Sequence, residues 1–136
     1  MTKRVVITGI GCVTPLGHDV ETVWANLLAG KSGISRTEHF DASTFPTTFS
    51  AQVKDYDFRR MVRHPEYHPH AGLNTRFALG AARQAWTMAG FDAFDQLDLE
   101  RVGIYLGSGE GSLDFENYVA SNLAGWDAEK RGLDAV

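Results

Sequence analysis

The sequence predicts an α/β domain of layered architecture, and three observations lead there. Val5, Val6 and Ile7 are consecutive within Arg4–Thr8, as are the apolar residues of Val102–Leu106 around Gly103, so each stretch reads as a strand covered on both faces. Each runs into a glycine-rich exit, 9–17 after the first and 107–112 after the second. Helical periodicity lies between them, so the two strands are expected to be parallel and joined by a right-handed crossover.

Taken in order, the first turn invites a nucleotide reading, because a strand leading into Gly-x-Gly and then a helix is how dinucleotide folds meet a pyrophosphate. The fingerprint breaks here: in Gly9-Ile10-Gly11-Cys12-Val13-Thr14 a threonine stands at the third glycine position, and Pro15 delays the helix. A free-standing nucleotide-binding α/β module is therefore the second reading of the chain. Asp19 is a helix N-cap, and Val20, Val23, Trp24, Leu27 and Leu28 form one apolar helical stripe. Gly30 ends that helix, with Lys31 as a cation at its carboxyl end. A phosphate-binding loop at Gly30-Lys31-Ser32 would need a glycine where Ala25 stands, inside the helix.

From Ile34 to Asn74 periodicity fades and the segment reads as a covering stretch, with a short strand at Phe49–Val53 and a helical turn at Phe58–Arg63. His64-Pro65-Glu66-Tyr67-His68-Pro69-His70 brings three imidazoles and a carboxylate close in sequence. The two prolines oppose the regular helix that would put His64 and His68 on one face, so a solvated loop is expected and no metal site. Asn74 or Thr75 caps a helix over 76–89, its buried side made by Phe77, Ala81, Ala82, Ala85, Trp86 and Ala89, and Gly90 ends it. Asp92, Asp95 and Asp98 space out as a solvated acidic face in 91–99, without the central glycine and closing glutamate of a calcium loop. After the second strand a helix is expected over 113–124, with Phe115, Val119 and Leu123 turned inward. Beyond Gly125 the pattern is acidic and weak.

Bulk properties bound the function. With 136 residues and 43% apolar content the chain suits one domain or part of one, so 1–136 is taken as a single partial domain. A formal charge of −4, with basic residues scattered, argues against a nucleic-acid partner. One cysteine excludes an internal disulfide, and no leader or long apolar run precedes the first strand, so no membrane partner and a cytoplasmic location are expected.

The same residues carry a resemblance. Val6 to Gly17 (VITGIGCVTPLG), followed by Trp24-x-x-Leu27-Leu28-x-Gly30-Lys31-Ser32-Gly33-Ile34, resembles the amino terminus of a β-ketoacyl-acyl-carrier-protein synthase of the synthase II type. His39-Phe40-Asp41, Phe58, Ala89-Gly90 and Arg101 to Gly109 match in order. Leu73-Asn74-Thr75 departs from it, standing where the family has a charged stretch and an aspartate. The resemblance implies the amino-terminal part of a thiolase-like layered α-β-α fold, incomplete, and a parent reaction of decarboxylative Claisen condensation. It further implies acyl carrier protein as partner, a homodimer when complete, and no metal or nucleotide cofactor. The family's nucleophilic cysteine, two histidines and lysine fall after the matched segments, so no catalytic residue is assigned here; Cys12 reads as a core residue. Glu110 stands where the family places an apolar residue against the acyl chain, which makes it the acyl-pocket candidate. A non-catalytic scaffold relative of a synthase is the third reading.

Overall fold

The computed structural model describes residues 4–93, 97–109, 119 and 122–133, in two compact units, Met1–Val102 and Gly103–Val136. The first unit opens with helix α1, Val20–Leu28. Asp19 caps it as expected: its carboxylate accepts the Thr22 amide at 2.7 Å and the Thr22 hydroxyl at 2.9 Å. The other end closes as a Schellman turn, in which Gly30 takes a left-handed φ of 65°. Its amide donates to Leu27 O, and the Lys31 amide donates to Asn26 O, both at 3.0 Å.

Strands β1, Ile34–Arg36, and β2, Phe49–Ala51, form an antiparallel pair in which Ser35 faces Ser50. The β2 strand was anticipated; β1 was hidden in three residues without periodicity. The pair continues into Thr37, whose amide donates to Thr48 O at 2.9 Å and whose buried hydroxyl donates to Ser50 Oγ at 2.9 Å. Helix α2, Phe58–Met61, is the expected helical turn, capped by Asp57, and Phe58 is one of the few buried large side chains.

Helix α3, Leu73–Met88, is the longest element. It starts ahead of the expected caps: Gly72 holds the extended N-cap conformation, φ −64° and ψ 164°, so Asn74 and Thr75 lie within the first turn. Gly80 is its buried position, whereas Ala82 of the expected inner side is exposed. Trp86 packs on Phe91, ring centres 4.9 Å apart. Just past α3, Asp92 is exposed as its spacing suggested, and its carboxylate is paired as well. Arg83 grips it with both terminal nitrogens, 2.6 and 3.0 Å, Arg63 reaches it at 3.2 Å, and the Thr87 hydroxyl donates at 2.8 Å. This joins the segment after α2 to the end of α3. Asp98 caps a turn at Leu99–Arg101, and Asp95 lies outside the described residues.

In the second unit residues 122–125 are helical, and a hairpin follows, β3 Trp126–Asp127 with β4 Gly132–Leu133. Asp127 fixes its turn by accepting the Glu129 and Lys130 amides at 2.8 and 3.0 Å, an arrangement that weak patterning did not disclose. Val119 and Leu123, expected inward, are exposed, and most of the 113–121 stretch lies outside the described residues.

The two expected strands require a correction. Neither Arg4–Thr8 nor Val102–Leu106 has a ladder partner among the described residues. Val5 and Ile7 are 94% and 86% exposed, and Ile104 and Tyr105 fully or nearly so. A strand apolar on both faces exists by virtue of neighbours and of layers above and below it. Without them the residues keep their hydrophobicity and lose their pairing. The stripe on α1 is open too, Trp24 and Leu28 being mostly exposed. Among the described residues no helix is long and apolar enough to cross a membrane.

Two outcomes are expected. So much unpaired apolar edge should make the isolated chain associate and bind a hydrophobic dye. Light scattering with a dye titration checks this, and a sharp melt of a dye-free monomer would contradict it. The pairing with Arg83 and Thr87 holds the Asp92 carboxyl below its usual range. A depressed folded pKa contributes stability above the unfolded carboxylate value, about 3.9, and loses it as pH falls through the folded value. Asp92→Asn should therefore melt earlier at neutral pH and lose less on acidification below about pH 4, as thermal melts across pH would show.

Candidate functional site

The first glycine turn is the place to test the nucleotide reading. A methyl group built on Gly9 would strike the Ala85 carbonyl oxygen, and one on Gly11 the Ala81 carbonyl oxygen, both on α3. The glycines are thus needed for a backbone lying directly on a helix. Gln84 secures the contact: its amide nitrogen donates to Cys12 O at 3.2 Å and His18 O at 2.7 Å, and its oxygen accepts the Cys12 amide at 3.3 Å. Asn26 adds a bond to Leu16 O at 2.6 Å. The Cys12 amide is taken up by Gln84 and the glycines are filled by the flank of α3, so the turn is a packing device. The Gly30-Lys31-Ser32 segment is the helix-closing turn described above and offers no phosphate loop.

Cys12 is half-buried in this contact. Burial raises its thiol pKa, and the Asp19 charge raises it further, the reverse of what a nucleophile needs. The second glycine exit differs from the first: a Cβ at Gly103, Gly107 or Gly109 would meet nothing within 4 Å among the described residues. Glu110, the acyl-pocket candidate, lies outside the described residues.

The largest concavity in the first unit is a cleft of about 890 Å³ between residues 53–59, the turn at 65–69 and the start of α3. Its aromatic wall is tied together. Tyr56 stands edge-on to His18 and to Phe77, at 5.3 Å each, and its hydroxyl donates to Arg76 O at 3.2 Å. Any side chain at residue 80 would hit that hydroxyl, so Gly80 is the hole in α3 into which Tyr56 fits. Burial raises the Tyr56 phenol, which stays a neutral donor. Phe58 lies between the edge of His68, at 6.1 Å, and the Arg76 guanidinium, at 5.9 Å.

The histidine-rich loop forms part of this wall and does not gather its imidazoles. His64 stacks on Tyr67 at 5.1 Å and bonds Glu66 at 3.0 Å, while His68 turns to Phe58. His64 helps hold the Glu66 carboxyl below its usual range. Among the described residues no three His, Cys, Asp or Glu side chains form a metal-ligating group. Sequence reasoning missed Tyr56, Arg76 and Gln84. A tyrosine opposite a glycine in an alanine-rich helix was the available signal for the first, and nothing local marks the other two.

Comparison with known proteins places this geometry. The model of the β-ketoacyl synthase N-terminal domain matches residues 2–132. The 3-oxoacyl-(acyl-carrier-protein) synthase 2 of Coxiella burnetii is 41% identical over 125 residues, covering 90% of this chain and 30% of the relative. Synthase 2 of Vibrio harveyi is 38% identical over 82% of this chain and 26% of its own length. The chloroplastic synthase I of Hordeum vulgare is 37% identical over 89% and 27%. Among solved structures, the ishigamide ketosynthase/chain length factor superposes with a TM-score of 0.61 at 28% identity, over 93% of this chain and 31% of that one. The chain spans under a third of the length of these relatives. The superposition also establishes the α/β class, as part of the ketosynthase fold.

The glycine contact yields a direct test. Gly11→Ala forces the turn off α3 and should cost about 1–3 kcal/mol of stability. Gln84→Ala should cost a similar amount, because it leaves three half-buried backbone groups unpaired. Denaturant melts of both variants measure this, and wild-type midpoints would show that the turn and helix do not depend on each other.

Proposed function

The chain belongs to the β-ketoacyl synthase family, whose amino-terminal domain it carries, and from that premise we propose that it forms the first part of a decarboxylative condensing enzyme. The observation that carries the reading is the unbroken family match over residues 2–132, together with 41% identity to a synthase named for its acyl carrier protein. The parent reaction is a Claisen condensation. An acyl group held as a thioester on the enzyme is attacked by the carbanion released when a malonyl thioester loses carbon dioxide, and the new carbon–carbon bond expels the enzyme thiolate. Such a step needs a thiolate and fixed donors for the thioester oxyanion. The sole cysteine of this chain has a raised pKa and its backbone is clamped by Gln84, so the acyl-bearing thiolate belongs to residues outside the matched segment. What these 136 residues supply is scaffold: the glycine turn that follows residues 4–8, helix α3 on which that turn packs, and helix α1 that the turn leads into. Acyl carrier protein is the partner, a homodimer the complete assembly, the cytoplasm the location, and no metal or nucleotide cofactor takes part. The route served is fatty acid or polyketide synthesis.

A chimera tests this. Residues 1–136 replacing the matching amino-terminal part of the Coxiella synthase should give condensation of acyl and malonyl groups on acyl carrier protein, and the isolated chain should give none. A folded chimera without activity would sink the reading. In that chimera Cys12→Ala should keep activity within a few-fold. Glu110 is proposed to face the acyl channel, where an unpaired carboxylate is costly, so Glu110→Ile should extend the accepted acyl chain length. Acyl loading measured against chain length decides it: superimposable profiles would return Glu110 to the surface.

A further inference from the structure

The cleft beside α3 is lined by charges of both signs, among them two arginines without an ionic partner. Its carboxylates are Asp55, Asp57 and Glu66, and its basic groups are Arg59, Arg76, His39 and His68. Two of the three acids are already engaged. Asp57 accepts the Arg59 amide at 3.1 Å and pairs with Arg60 Nε at 3.0 Å, and Glu66 is bonded to His64. Arg59 and Arg76 have no ionic partner among the described residues, and the carboxylates of Asp55 and Glu66 oppose them across the cleft. Asp55 is itself in the left-handed region, φ 57°, a conformation that aspartate tolerates better than most residues.

Arg76 is the better-prepared of the two arginines. Its Nε is the one buried side-chain nitrogen or oxygen without a hydrogen-bond partner among the described residues. Its guanidinium lies over the buried Phe58 ring at 5.9 Å from the ring centre. Buried polar groups are almost always paired, so an orphan beside a cleft calls for an explanation. Tyr56, Phe58, Phe77, Leu73 and Val53 make an apolar wall beside it, and the volume falls in the range that holds a small ligand.

We propose that this cleft is a binding site for a small organic oxyanion, a carboxylate or phosphate monoester with an apolar body, held by the Arg76 fork with Arg59 in support. The anionic oxygens meet the edge of the guanidinium and the apolar body lies along Phe77 and Leu73.

Calorimetric titration of the 136-residue chain with benzoate and with phenyl phosphate, at constant chloride, tests it. Saturable binding of either is expected, the probe that binds identifying the carboxylate or the phosphate as the preferred group. Arg76→Gln keeps the backbone acceptor of Tyr56 and much of the stem over Phe58, and should weaken binding about tenfold or more. Arg76→Lys, which keeps the charge and loses the fork, should fall between the two and serves where the glutamine form does not fold. Lys31→Gln, far from the cleft in sequence, should bind as the parent does. Absence of saturable binding to both probes would overturn the proposal, as would equal affinity in every Arg76 variant.

Discussion

The structure of the first unit depends on how closely the backbone at Gly9 and Gly11 approaches helix α3. At both positions the space of a Cβ is occupied by a helix carbonyl, so no other residue permits the approach. Gln84 then converts proximity into register, since three hydrogen bonds from one side chain fix both Cys12 and the peptide at His18. Those bonds settle where α1 begins, because Asp19 follows directly and caps it. They settle the cleft as well: Tyr56 reaches into the gap at Gly80 on the same helix, next to Ala81 and one turn from Gln84. Helix α3 therefore takes two loops by the same means, a missing side chain, which is on the loop at Gly9 and Gly11 and on the helix at Gly80. Small residues in α3 are the condition for both contacts.

What could be read in the sequence divides along the range of the interaction. Helix ends are local, and Asp19, Gly30 and Gly90 marked them correctly because a cap or a left-handed glycine acts within a few residues. The start of α3 was misplaced for a related reason: several residues could have capped it, and the preceding turn, through Ala71 bonded to His68, delivered Gly72 to that position. Asp92 illustrates the other extreme. It is exposed, as its spacing from Asp95 and Asp98 suggested, but that spacing carries no mark of its ion pairs with Arg63, far back in the chain, and with Arg83. No periodicity encodes such a pair. The family, in contrast, was legible, because it is carried by runs of identical residues and not by their contacts.

The two apolar strands show how a correct reading of residue type can differ from a structure. Val5–Ile7 and Val102–Leu106 have the composition of strands in the middle of a layered sheet, and their exposure is what that composition looks like when its neighbours are missing. Hydrophobicity is a property of the residues, whereas pairing is a property of the assembly. This chain spans under a third of the length of the relatives it matches. The open face of α1 follows the same logic, with its caps intact and its stripe uncovered.

Glycine-rich turns are commonly taken as signs of phosphate, and this chain separates two uses of the same sequence. In a nucleotide fold the missing side chains admit a ligand, and free amides and a helix amino terminus face it. In this turn the missing side chains admit the flank of α3, and the Cys12 amide already has a side-chain acceptor. Threonine at residue 14 fits only the second use. Its amide and carbonyl bond those of Gly17, and its hydroxyl accepts the Leu16 amide, so Thr14 closes a tight loop around Pro15 before the helix begins. A third glycine would leave the turn open for a close helix approach; a threonine with proline after it folds 14–17 into a tight loop before α1 begins. The residue that breaks the nucleotide fingerprint is thus the one that builds this turn.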